Sequence, residues 1–113
     1  MVQIKRIYEP AESDDGKRIL VDRLWPRGVS REKAELDLWL PDVAPTSELR
    51  KWYGHADERW DQFKARYREE LRENSHLPTL LELDDEGPMT LLYGAKNEAH
   101  NQAVVLQEIL NKR

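Results

Sequence analysis

The sequence predicts an α/β fold: one compact domain over residues 1–113, a small mixed or parallel sheet flanked by helices, with its site at the C-terminal edge of the strands. Three observations predict it. Two short apolar runs, Ile19 to Val21 and Met89 to Tyr93, are bounded by turn-forming residues and suit buried strands. Between them Trp60, Phe63, Tyr67 and Leu71 recur at helical spacing, so a helical crossover joins the two runs. A length of 113 residues suits a single domain with a modest core.

Each element has its own warrant. Val2 to Tyr8 alternates apolar and polar side chains, as a strand does, and Glu9 to Lys17 is a loop rich in turn formers. So short a link favours antiparallel pairing of the first strand with the second, Arg18 to Leu24, with a short tight crossover as the alternative. Val29 to Pro45 carries alternating leucines, but Pro41 and Pro45 interrupt it, and it reads as extended or irregular chain over the core. Thr46-Ser47 offers an N-cap to a short helix that Gly54 stops. Asp57 to Glu73 gives the cleanest helix signal. Pro78 opens another helix through Leu83, followed by a turn over Asp84 to Pro88. After the Met89–Tyr93 strand, Gly94 to Asn97 is a loop and Glu98 to Lys112 a terminal helix. Its inward face carries Ala99, Ala103, Leu106 and Leu110. The long crossover makes the second and last strands parallel neighbours, which sets the loop after Leu24 beside the loop after Tyr93.

Composition removes several classes of function. There is no cysteine, so disulfides, thiolate nucleophiles, zinc–thiolate sites and iron–sulfur clusters are excluded. The net charge of −4 gives no global attraction to nucleic acid or to an anionic membrane. No signal peptide or membrane-spanning run is present, so the expected location is the cytoplasm. His55, His76 and His100 are too dispersed for metal-ligand spacing, and neither a metal nor a cofactor is expected.

Two strand ends carry the candidate chemistry. The first is Asp22, Arg23, Trp25, Arg27 and Gly28, where guanidinium forks match carboxylate or phosphate oxygens. The competing reading is an ion pair from Asp22 to Arg23 or Arg27 that pins the turn, with Trp25 as core. The second is Tyr93, Gly94, Lys96, Asn97, His100 and Asn101, where a strand gives way to a helix N-terminus able to hold an anion. In the first helical turn, His100 would stay neutral and act as a base. Alternatively Lys96 and Asn97 simply cap a surface helix, and Asn101 bonds within its own turn. A third segment, Lys51 to His55, would bring His55 over the site as a second acid or base, with Trp52 or Tyr53 to stack on a planar ligand.

The blocks ILVDRLWPRGVSREKAELDLW, APTSELRKWYGH, ERWDQFKARYREEL and LLYGAKNEAHNQAVVLQEIL resemble the YeaO-like proteins, a group within the domain-of-unknown-function 488 family. The resemblance covers essentially the whole chain. It implies a compact cytoplasmic α/β domain of bacterial or archaeal type, and no established reaction. Wider relatives carry cysteine and a His-Arg pair after the strand matching Leu91 to Tyr93. Here Gly94, Ala95 and Lys96 stand in that place, so thiol chemistry does not transfer.

Three functions fit these residues. The leading one is a site for a small anion, a nucleotide or phosphorylated metabolite, held by Arg23, Arg27 and Lys96, with His55 and His100 as acid or base. Whether such a site turns its ligand over is open. A nucleic-acid accessory role would use Arg18, Arg23, Arg27 and Arg31 with Trp25 and Trp52, against the negative net charge. An interaction module would use exposed aromatics, in an oligomeric state that the sequence does not define.

Overall fold

The computed structural model describes residues 1–113. Its strands are β1 (Val2–Arg6), β2 (Lys17–Leu20), β3 (Leu38–Trp39) and β4 (Met89–Tyr93). Its helices are α1 (Arg31–Ala34), α2 (Ser47–Tyr53), α3 (Trp60–Arg72), α4 (Leu77–Glu86) and α5 (Gln102–Asn111). All four strands are parallel, in the order β1-β4-β2-β3. Every residue of β4 is buried, Thr90 included, as suits a largely apolar strand covered on both faces.

The two faces are covered unequally. On one, Ile19, Val21, Leu91 and Tyr93 join Phe63, Tyr67 and Leu71 of α3, Leu80 of α4, and Ala103, Leu106 and Leu110 of α5 in the main core. On the other, Leu20 and Leu92 meet only Ile7, Ala34 and the rims of Trp25, Val29, Leu36 and Trp39. The chain leaving β2 therefore goes to the thin face, and the chain leaving β4 goes to the thick one. Where neighbouring parallel strands send their connections to opposite faces, a crevice opens at their C-terminal ends. The sheet thereby fixes the site before any polar residue is considered.

Several expectations from the sequence need correction. β1 and β2 are parallel, not antiparallel, because β4 inserts between them and pairs with both. The link between them runs back along the sheet and enters β2 through Gly16, at φ 64°, where an added Cβ would lie 2.3 Å from the Pro88 carbonyl oxygen. β2 ends at Leu20, and Val21 extends its ladder by one bond, N–H to Leu92 oxygen at 3.0 Å. Asp22 to Leu24 is already loop. The 29–45 stretch is not irregular throughout. It holds α1, capped by the Ser30 hydroxyl, and β3, which pairs with β2. α4 continues through Asp84, Asp85 and Glu86, because Arg113 reaches back to bond both aspartates.

The largest revision concerns α5, which starts at Gln102 and not at Glu98. The Asn97 side chain accepts from the Ala99 and His100 N–H groups, each at 2.9 Å, closing a turn in place of a helix. Asn101 is the true N-cap. Its Oδ1 accepts from the Val104 N–H at 3.1 Å, and its Nδ2 donates to the Asn97 carbonyl at 2.8 Å.

Candidate functional site

At the crevice between the ends of β2 and β4 lies a cleft of about 450 Å³. Its floor is Asp22, one residue beyond the β2 ladder. The Asp22 Oδ2 accepts from the Gly94 N–H at 2.9 Å, and Oδ1 accepts from the Gln102 amide at 2.6 Å. Gly94 is required here by crowding: a Cβ on it would stand 2.9 Å from the Asp22 oxygen and 3.4 Å from Pro26. Burial pushes the Asp22 carboxyl up to about 6, and the donors from Gly94 and Gln102 and the charge of Arg50 offset this only in part.

One wall comes from α2 and the turn that follows. Thr46 caps this helix through its hydroxyl, and Leu49 and Tyr53 anchor it in the core. That anchoring turns Arg50, Lys51 and Tyr53 toward the cleft. No carboxylate pairs with Arg50 or Lys51. His55 also lines the cleft and has φ 58°, a left-handed backbone uncommon outside glycine and held at some cost in strain. Burial raises the Tyr53 hydroxyl above its ordinary value, and the charge of Asp57 adds to this.

His100 stands on the opposite side. Its ring stacks on Trp60, centroids 4.7 Å apart, and its Nδ1 lies 2.9 Å from an Asp57 oxygen that also accepts from the Asn97 amide at 3.1 Å. Because Nδ1 is engaged, Nε2 is the nitrogen left for a ligand. Since α5 begins after it, His100 does not sit in a helical first turn.

Of the residues singled out in the sequence, Asp22, Arg23, Trp25, His55, Gly94, His100 and Asn101 line this cleft. Arg23 is largely committed, donating to the Ala44 and Pro45 carbonyls at 2.9 Å each and lying 3.6 Å from Asp42. The Asp22–arginine ion pair weighed from the sequence does not form, since Asp22 takes only neutral donors at bonding distance. Trp25 donates its indole N–H to the Val29 carbonyl and meets Trp39 edge-on. Asn101 spends its side chain on capping.

Five others lie elsewhere. Arg27 and Lys96 are exposed and outside the cleft, and Tyr93 is buried in the core. Asn97 braces the 94–101 loop, and Gly28 borders a separate hollow between Tyr8 and Lys33. Sequence reasoning missed Arg50 and Gln102. Arg50 had a usable signal, because it falls three residues before Tyr53 and so shares its helical face. Gln102 had none, since its place depends on where α5 begins.

The fold and cleft define a small all-parallel α/β protein with a cationic pocket at its topological crevice. Residues 1–113 match the family model described as the inactive DUF488-N3 subclade, and the chain belongs to that family. It is similar to the uncharacterized protein YeaO of Escherichia coli K12, 42% identical over 110 residues, 96% of each chain. It is also similar to the uncharacterized protein Rv3073c of Mycobacterium tuberculosis H37Rv, 41% identical over 112 residues, 99% of this chain and 95% of the relative. No solved structure matches. No helix is long and apolar enough to cross a membrane.

Proposed function

We propose that this protein binds a small anionic ligand, a nucleotide or phosphorylated metabolite, in the cleft between β2 and β4, and does so in the cytoplasm without turning it over. The observation that carries the reading is the Arg50 guanidinium. It lines the cleft beside Lys51, with no carboxylate partner and no side-chain hydrogen bond. A half-buried, unspent guanidinium fork on a short, well-anchored helix is a ready recognition element for carboxylate or phosphate oxygens. His55 and His100 complete the polar lining as ligand-facing groups. Binding without turnover accords with the description of the family as an inactive subclade.

The nucleic-acid alternative has less support. Arg18 is 4% exposed and bonded to Asp15, Arg31 lies over Trp25, and both Arg59 and Arg66 lie over Trp52. Of the four arginines it needs, Arg18, Arg23 and Arg31 are engaged within the fold and Arg27 is exposed.

Calorimetric titration with inorganic phosphate and a mononucleotide tests the reading. Binding in the millimolar range or tighter, about −4 kcal/mol or better, is expected. Arg50→Ala should weaken it about tenfold, the loss of one charge-assisted hydrogen bond, with little change in melting temperature. Heats no greater than dilution for every anion tried would overturn it.

A further inference from the structure

We propose that the ligand is a zwitterion, an anion that also bears a protonated amine, and that Asp22 selects it by bonding that amine. The inference rests on the anion-binding reading and adds a second point of recognition to it. The cleft has two electrostatic halves. Arg50 and Lys51 make one wall cationic, while its floor presents the Asp22 carboxylate.

Asp22 is half-buried and differs from Asp15, the buried carboxylate of this chain. Asp15 is 3% exposed and takes ion pairs from both Arg18 and Lys5. Asp22 has no cation within ion-pair distance, and its two bonded partners, the Gly94 N–H and the Gln102 amide, are neutral. Its sequence neighbour Arg23 is turned away to the Ala44 and Pro45 carbonyls. A carboxylate can accept about four hydrogen bonds, so each Asp22 oxygen has a free position. A carboxylate partly withdrawn from water with no cation bonded to it is costly, and a ligand ammonium group supplies that bonded partner.

The same carboxylate works against a simple anion. A phosphate held by Arg50 would feel Asp22 across a small cleft, whereas an amine on that phosphate converts repulsion into attraction. The charged or titratable groups sharing the cleft with Asp22 are Tyr8, Arg23, Arg50, Lys51, Tyr53, His55 and His100, and none of them is bonded to Asp22. The position of Asp22 is held by its bonds from the Gly94 N–H and the Gln102 amide.

The test compares two probes of nearly equal shape, O-phosphoethanolamine and n-propyl phosphate, which differ in an ammonium against a methyl group. At about pH 8, where Asp22 is ionised, phosphoethanolamine should bind about tenfold tighter. Asp22→Asn should shrink that gap to about twofold by weakening phosphoethanolamine and strengthening propyl phosphate. Arg50→Ala should weaken both alike. Equal binding of the two probes by the native protein would overturn amine selection and leave the anion site standing. No binding of either would overturn both readings. If Asp22→Asn does not fold, titration of the native protein at lower pH decides. By about pH 5 both phosphates are largely monoanions, so the probes again differ by the ammonium alone, and protonation of Asp22 closes the gap as pH falls below about 6. A gap that persists at about pH 5 would overturn the proposal.

Discussion

Asp22 makes its site and its stability problem with the same atoms. Its carboxyl is raised from 3.8 in the unfolded chain to about 6 in the fold, so the folded state binds the proton more tightly. The associated stability is full below the unfolded value, declines as pH rises from about 4 to 6, and is absent above that. The amount is at most ~3 kcal/mol. Asp15 and Glu108 run the other way. Burial tends to raise both, but bonds from the Glu12 backbone, Arg18 and Lys5 to Asp15, and from Lys64 and Arg68 to Glu108, hold them below their ordinary values. Their contributions are lost as pH falls toward and through the carboxylate range. Asp22→Asn isolates one term from this mixture. With the Gln102 amide rotated, asparagine still accepts from the Gly94 N–H and bonds Gln102. Urea unfolding at about pH 4 and pH 7 should show the variant gaining on the native protein as pH rises. Parallel behaviour of the two proteins would contradict an uncompensated charge at this position. Gly94→Ala should instead destabilise at every pH, by roughly 1–3 kcal/mol, because its methyl displaces the Asp22 oxygen and orphans a half-buried N–H. A thermal melt reads that loss directly.

Among the elements, the legible ones were those whose signals are local. α3 is announced by its aromatic stripe, β4 by an apolar run between Pro88 and Gly94, and α2 by Thr46 and Gly54 at its ends. β3 was hidden because two residues make a strand only through their pairing with Ile19 and Leu20. The direction of β1 was hidden because β4, distant in sequence, takes the place between β1 and β2. The site followed the same division. Asp22 and Gly94 were legible as strand ends, while Arg50 enters the cleft through the packing of α2, and Gln102 through the late start of α5. That start has a direct test. Asn101→Ala removes the bond to the Val104 N–H and the tie to Asn97, and should cost about 1–2 kcal/mol by denaturant unfolding. Glu98→Ala, at the start expected from the sequence, should cost less than ~0.5 kcal/mol, because Glu98 is exposed and caps nothing. The reverse order would place the helix start at Glu98.

At the scale of the whole molecule, the question is how a chain of net charge −4 attracts an anion at all. Part of its basic charge is neutralised where it stands. Lys5 bonds Glu12 and Asp15, Lys17 bonds Glu86, Lys64 and Arg68 share Glu108, and Arg113 spans Asp84 and Asp85. Arg50 and Lys51 are left unpaired inside a recess, whose low-dielectric walls strengthen their field over a short range. A small anion that enters the recess meets that field, whereas a polymer running across the outside meets the acidic remainder. The two therefore should separate by size. Phosphoethanolamine should bind with an affinity that falls only gently with salt, since few charges are involved. A fluorescent single-stranded oligonucleotide of roughly twenty residues should show no anisotropy change at protein concentrations up to ~100 µM in about 0.15 M salt. Tight oligonucleotide binding with a steep salt dependence would overturn this separation and mean that a continuous basic track exists.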